Sequence, residues 1–284
     1  MLFVKLGGSL ITDKTRNETA RPVVMARLAG ELQASVANLR TPILIGHGSG
    51  SFGHIAAKQY GTRAGVRTAD EWRGFAHVSV AAARLNRLVA DALHHAGVPV
   101  ISLAPSASMQ CADGRIVSMD TRPIHQALQH GLYPLVMGDV AWDSARGGTI
   151  VSTEEVFAFL AGELPVSRVL LVGETAGVLE GFREEGGAVG VGRGTGGVER
   201  TGGRVIPRIT AENWAALQSA IGGSRGADVT GGMASKVRDM LALVHAHPNL
   251  AVSIFSGLVP GNLARAIAGE QLGTVIGDSM RHEA

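Results

Sequence analysis

Short, uninterrupted apolar runs alternate along this chain with longer stretches of helical period. The runs Leu2–Leu6, Pro42–Ile45, Val98–Leu103, Tyr133–Met137, Val169–Val172 and Val252–Phe255 predict strands buried on both faces. Between them, Val23–Leu39, Ala76–His95 and Ser235–Ala246 predict helices. Buried strands alternating with helices predict an α/β protein on a mostly parallel sheet. Several runs end in glycine or small polar residues, and ligands of such sheets gather at the carboxyl ends of the strands. Residues 181–204 hold ten glycines without a helical period and predict a long loop or hairpin excursion, either a lid or a surface hairpin. There is no internal repeat, heptad array or charge block.

A length of 284 residues fits two domains or one large α/β unit. Apolar residues at 45% exclude a disordered chain, and aromatics at 4% leave the core to Ala, Val, Leu and Ile. The single cysteine, Cys111, excludes an internal disulfide and a cysteine-based zinc site. A net charge of +2 gives no reason to expect a nucleic-acid partner. Residues 1–142 carry +5 and the remainder −3, which hints that anionic ligands meet the first part. No run reaches the roughly 18 apolar residues of a membrane span, and Met1–Lys5 lacks the order of a signal peptide, so a cytoplasmic protein is expected. More telling is the cation usage: 22 arginines against four lysines, Lys5, Lys14, Lys58 and Lys236. Lysines kept in so arginine-rich a chain mark places where a compact, mobile ammonium is needed.

Three of those lysines sit in glycine- or threonine-rich motifs. Lys5-Leu6-Gly7-Gly8-Ser9, followed by Thr12-Asp13-Lys14, reads as a tight turn or as a phosphate loop whose backbone N–H groups face an anion. Gly46-His47-Gly48-Ser49-Gly50-Ser51-Phe52-Gly53-His54 is a second nest of backbone donors; it is neither a Walker A loop nor a dinucleotide fingerprint. His54, closing that loop, is read as a ligand-binding residue and His47 as its support. Ser152-Thr153-Glu154-Glu155 resembles a helix cap. Asp139, Glu154 and Glu174 are candidates to orient lysines or hold magnesium, or are simply solvated and capping groups. Thr230-Gly231-Gly232, with Lys236 one turn later, reads as a nucleotide-phosphate turn or a capped helix with an exposed lysine. Phe75, Val78, Val80 and Leu85, on the segment after the second loop, offer an apolar wall but are read mainly as core.

Together these pieces resemble the amino acid kinase family of ATP-dependent small-molecule kinases, over nearly the whole chain as far as Gly273-Thr274-Val275-Ile276. Gly7–Lys14, with its second lysine, and the Gly-Ser-Phe-Gly-His ending at 50–54 are similar to the branch that phosphorylates isopentenyl phosphate. A branch acting on the phosphonate fosfomycin is the one most easily confused with it. The resemblance implies a three-layer α/β/α sandwich around one continuous, mostly parallel open sheet. It implies a phosphate-acceptor lobe over 1–165, a nucleotide lobe over 166–284, ATP with Mg²⁺, and a homodimer. It would put Lys5, Gly7, Gly8, Ser9, Gly50, Glu174, Gly232 and Lys236 on ATP, and Lys14 on the transferring phosphoryl group. Ser49, His54 and Thr153 would meet the acceptor, and Lys5, Lys14, His54 and Lys236 form the catalytic set.

The chain departs from the family at three places. Gly48-Ser49-Gly50 replaces three glycines, Glu154 replaces an aspartate, and Gly173-Glu174-Thr175-Ala176-Gly177-Val178 replaces a Thr-Asp-Val-Asp-Gly-Val stretch. The reaction implied is in-line transfer to a phosphate monoester, whose oxygen is largely ionised at neutral pH and needs no general base. The alternatives are a kinase of another small phosphate or phosphonate, and a nucleotide sensor without turnover. A carboxylate kinase would need an amino-acid clamp that no motif marks.

Overall fold

The structure is a computed structural model that describes residues 1–36, 39, 41–180, 203–218, 221 and 232–277, without the side chains of residues 54 and 55. The strands are β1 Leu2–Leu6, β2 Ile43–His47, β3 Val100–Ser102, β4 Gln110–Ala112, β5 Arg115–Ser118, β6 Tyr133–Met137 and β7 Asp139–Asp143. They continue with β8 Gly147–Val151, β9 Arg168–Gly173, β10 Leu179–Glu180, β11 Arg204–Val205, β12 Arg208–Ile209, β13 Ala251–Ser256 and β14 Thr274–Ile276. The helices are α1 Gly8–Ile11, α2 Pro22–Val36, α3 Gly50–Tyr60, α4 Ala69–His95 and α5 Arg122–Gln129, then α6 Thr153–Glu163, α7 Ala211–Leu217, α8 Gly232–Ala246 and α9 Asn262–Ile267.

Eight strands form one sheet in the order β12-β14-β13-β9-β1-β2-β6-β3, parallel except where β13 meets β14. Strands from before and after residue 166 join through the β1–β9 ladder, Leu2 opposite Arg168 through Leu6 opposite Val172. The pleat sorts the central strands between two cores. Leu2, Val4, Leu6, Ile43, Ile45, Leu170 and Val172 pack on one side, under α2 and α4. Phe3, Leu44, Val169, Leu171, Val252 and Ile254 pack on the other, with residues of α6 and α8. Lys5 shares the parity of Phe3, so the pleat turns it toward the α6 side.

Two elements exceed the expectation from the apolar pattern. The helix predicted from Ala76 begins at Ala69, because Thr68 and Glu71 form a reciprocal capping box that polar periodicity alone does not reveal. A four-stranded sheet, β5-β4-β7-β8, occupies residues 110–118 and 139–151, where the apolar pattern predicts no strand. Its strands are too short and polar to stand out. Asp143 secures it by accepting N–H bonds from Asp113, Gly114, Ala145 and Arg146. The glycine-rich 181–202 and the 228–231 turn lie outside the described residues.

Candidate active site

A cleft of about 1150 Å³ opens at the carboxyl ends of β1, β2, β6 and β9. All four lysines of the chain line it, together with Arg63. A random draw from 26 cations would hardly give this division. Among the described residues the cleft collects the ammonium groups, and Arg63 is the one arginine that lines it.

Two glycine loops form its floor by packing backbone against backbone. A Cβ on Gly8 would lie 2.3 Å from the Gly50 nitrogen, and one on Gly48 would lie 2.7 Å from the Gly8 nitrogen. Gly50 also has φ +50, in the left-handed region that favours glycine. The first N–H groups of a helix have no intrahelical partner. Gly8 and Ser9 of α1, Gly50 of α3, Thr153 and Glu154 of α6, and Gly232 and Met233 of α8 bring four such helix starts to the cleft wall. The positive ends of these helices and the four lysines make a site for polyanions.

Three carboxylates balance that charge, each tied differently. Glu154, at the start of α6, forms a buried ion pair with Lys5. Burial opposes its ionisation, but the charges of Lys5 and Lys236 outweigh that and hold its carboxyl down at about 2. One carboxylate thus organises two lysines from β1 and α8. Glu174 pairs with Arg21 at 2.7 Å, joining the end of β9 to the start of α2. Asp139 is buried and pushed above the usual carboxylate range by that burial, against bonds from the Ser106 and Val140 amides.

His47 lies fully buried beneath the second loop. Its Nδ1–H donates to the Gly48 carbonyl at 3.1 Å, and its Nε2 accepts from Asn86 of α4 at 3.1 Å. Burial first, and the nearby Lys5 charge after it, push its pKa down to about 4, so the ring is neutral at pH 7. It supports the loop, as its position in the sequence suggests. The Thr153 hydroxyl donates to the His47 carbonyl at 2.6 Å, and Ser152 and Glu155 complete the capping box expected at α6.

The cleft therefore brings together Lys5, Gly7, Gly8, Ser9, Lys14, Ser49, Gly50, Thr153, Glu174, Gly232 and Lys236. His54 falls in the second turn of α3, but its side chain lies outside the described residues. Of the four apolar candidates only Val78 reaches the cleft. Phe75 packs against Trp72 and Trp142, Leu85 is core, and Val80 is exposed. Lys58, Arg63, Ala57, Ala82 and Ile150 line the cleft without having been expected there. Lys58 carried a signal, being one of only four lysines; the apolar residues carried none.

The model of the amino acid kinase family matches residues 1–186. The chain is 36% identical to isopentenyl phosphate kinase of Haloferax volcanii, over 97% of this chain and 98% of that one. It is 31% identical to isopentenyl phosphate kinase of Methanothermobacter thermautotrophicus, over 96% of this chain and 97% of that protein. A solved isopentenyl phosphate kinase structure superposes with a TM-score of 0.77 at 29% identity, covering 97% of this chain and 99% of its own. N-acetylglutamate synthase from Neisseria gonorrhoeae, at 14% identity and a TM-score of 0.62, shares the fold over 59% of its length. With most of its length matched by the family model and nearly all of it by these relatives, the chain belongs to the amino acid kinase family.

Proposed function

We propose that the protein transfers the γ-phosphoryl group of ATP to the phosphate of isopentenyl phosphate, giving the diphosphate and ADP. The observation that carries this reading is the 31–36% identity, along nearly the whole chain, to kinases named for that substrate. The gathering of every lysine in one cleft supports it. An acceptor phosphate oxygen attacks the γ-phosphorus, the bond from that phosphorus to the bridging oxygen breaks, and ADP leaves with the electron pair. The attacking oxygen is already ionised, so no base is needed. Catalysis reduces to holding two polyanions end to end and offsetting their repulsion.

In this reading Lys5, Lys236 and the Gly7-Gly8-Ser9 and Gly232 helix starts hold the ATP phosphates, with Glu154 orienting the two lysines. Lys14 follows the transferring group, His54 and Ser49 hold the acceptor phosphate, and Thr153 borders it through its backbone. Ala57, Val78, Ala82 and Ile150 supply an apolar surface for the acceptor's hydrocarbon tail. Mg²⁺ enters on ATP. Among the described residues no three acidic, histidine or cysteine side chains cluster to hold a metal. Mg²⁺ bound with ATP would offset the negative charge of the transferring phosphoryl group beside Lys5, Lys14 and Lys236.

The lobes divide at about residue 165, with the acceptor on the first and the nucleotide on the second. Exposed Val80 and Leu88 on α4, with Ile101 on the open sheet edge, support a homodimer. ATP as donor supports a cytoplasmic setting. The test is ADP release with Mg²⁺ across isopentenyl phosphate, longer phosphorylated isoprenoids, fosfomycin and acetylglutamate. Turnover is expected with isopentenyl phosphate. A preference for fosfomycin or acetylglutamate, or ATP binding without turnover on any acceptor, would overturn the reading.

A further inference from the structure

The two glycine loops and the segment that carries Lys14 meet on two hydroxyls that no role above uses. Thr12 is fully buried. Its Oγ1 donates to the Gly8 carbonyl at 2.7 Å and accepts from the Ser51 N–H at 3.0 Å. Gly8 belongs to the loop assigned to ATP, and Ser51 to the first turn of α3, on the acceptor loop. One hydroxyl therefore spans the two loops, using both its donor and its acceptor capacity. The packing around it is tight: a Cβ on Gly50 would lie 2.0 Å from Thr12 Oγ1 and 2.6 Å from the Gly8 carbonyl.

Ser51, also buried, carries the connection onward. Its Oγ accepts from the Thr19 N–H at 3.2 Å, and its carbonyl accepts from the Glu18 N–H at 3.4 Å. Residues 12–20 form a strap closed by a Thr12–Ala20 bridge and by the Asp13 N–H on the Thr19 carbonyl at 2.8 Å. Lys14 rides on that strap. Moving Thr12 or Ser51 would displace the donor loop, the acceptor loop and Lys14 relative to one another.

We propose that Thr12 and Ser51 are positioning residues for phosphoryl transfer, setting the spacing between the two phosphate loops and the stance of Lys14. The inference rests on the kinase reading above. Transfer between two bound anions depends on alignment of the reacting atoms, and a misplacement of about 1 Å can cost on the order of 10²-fold in rate. Neither residue needs to touch a substrate for that dependence to reach it.

Steady-state kinetics with ATP and isopentenyl phosphate on the full chain test this. Thr12→Val keeps the shape and removes the hydroxyl. Its kcat should fall about 30- to 100-fold, with the KM for each substrate within about threefold of the parent. Thr12→Ser should restore kcat to within about threefold, and Ser51→Ala should lower it several-fold with unchanged KM. The proposal is overturned if Thr12→Val keeps kcat within twofold, if its loss appears as KM, or if Thr12→Ser is equally impaired. Should Thr12→Val fail to fold by circular dichroism, Ser51→Ala decides: lowered kcat at constant KM supports the proposal and unaltered kcat overturns it. A parent protein with no turnover of isopentenyl phosphate sinks the kinase reading and this inference with it, whereas an active parent with unaffected variants sinks this inference alone.

Discussion

Glu154 contacts Lys5 directly through its carboxylate and also lies in the field of Lys236. His47, buried beneath the second loop, is held neutral by that burial. These two groups give the protein two separate acid transitions. The folded His47 titrates near 4 against an ordinary value of 6.5, so the unfolded chain binds the extra proton first as pH falls. Its stabilisation is complete above 6.5 and is lost between 6.5 and 4, up to about 3 kcal/mol. Glu154, at about 2 against 4.5, adds a loss between 4.5 and 2. Urea unfolding at pH 7, 5.5 and 4.5 should show a slope that His47→Gln flattens; identical slopes in parent and variant would refute the assignment. At the acceptor phosphate, His54→Ala should raise the KM for isopentenyl phosphate far more than that for ATP. Equal effects on both substrates would reject its role.

At the scale of loops and helices, the site depends on two turns approaching more closely than any side chain allows. Gly8→Ala forces a Cβ onto the Gly50 backbone, where no flexible atom can yield. Stability should drop by about 1–3 kcal/mol and turnover by more than 100-fold. Gly30→Ala in α2, with nothing within 4 Å of the added methyl, should stabilise by roughly 0.5–1 kcal/mol and leave kcat alone. Comparable damage from both would show that contact between the loops does not set Gly8 apart. The loops were legible in the sequence because their glycines, which alone read equally as tight turns, are flanked by Lys5 and Lys14, and these with Lys236 stood out by rarity. The small sheet was not, since three- to five-residue polar strands mimic loops and their pairing partners are distant. Nor were Ala57, Ala82 and Ile150, which reach the cleft only because α3, α4 and β8 converge there. Composition cannot distinguish such residues from the core.

Across the whole molecule, β3 ends the large sheet among the described residues, and exposed Val80 and Leu88 lie on α4, which packs against that strand. Light scattering should give a mass twice the 29.4 kDa of one chain, and Leu88→Glu should reduce it to one. A single-chain mass for the parent would reject the homodimer, and a dimeric Leu88→Glu would reject this face. The distribution of amines has a practical consequence. Lys14 and Lys58 are exposed and both open on the cleft, whereas the terminal ammonium of Met1 sits at the far end of β1. Succinimide esters and aldehyde fixatives that react at Lys14 or Lys58 therefore modify this protein at its own mouth, and a saturating nucleotide should be present whenever it is labelled or immobilised.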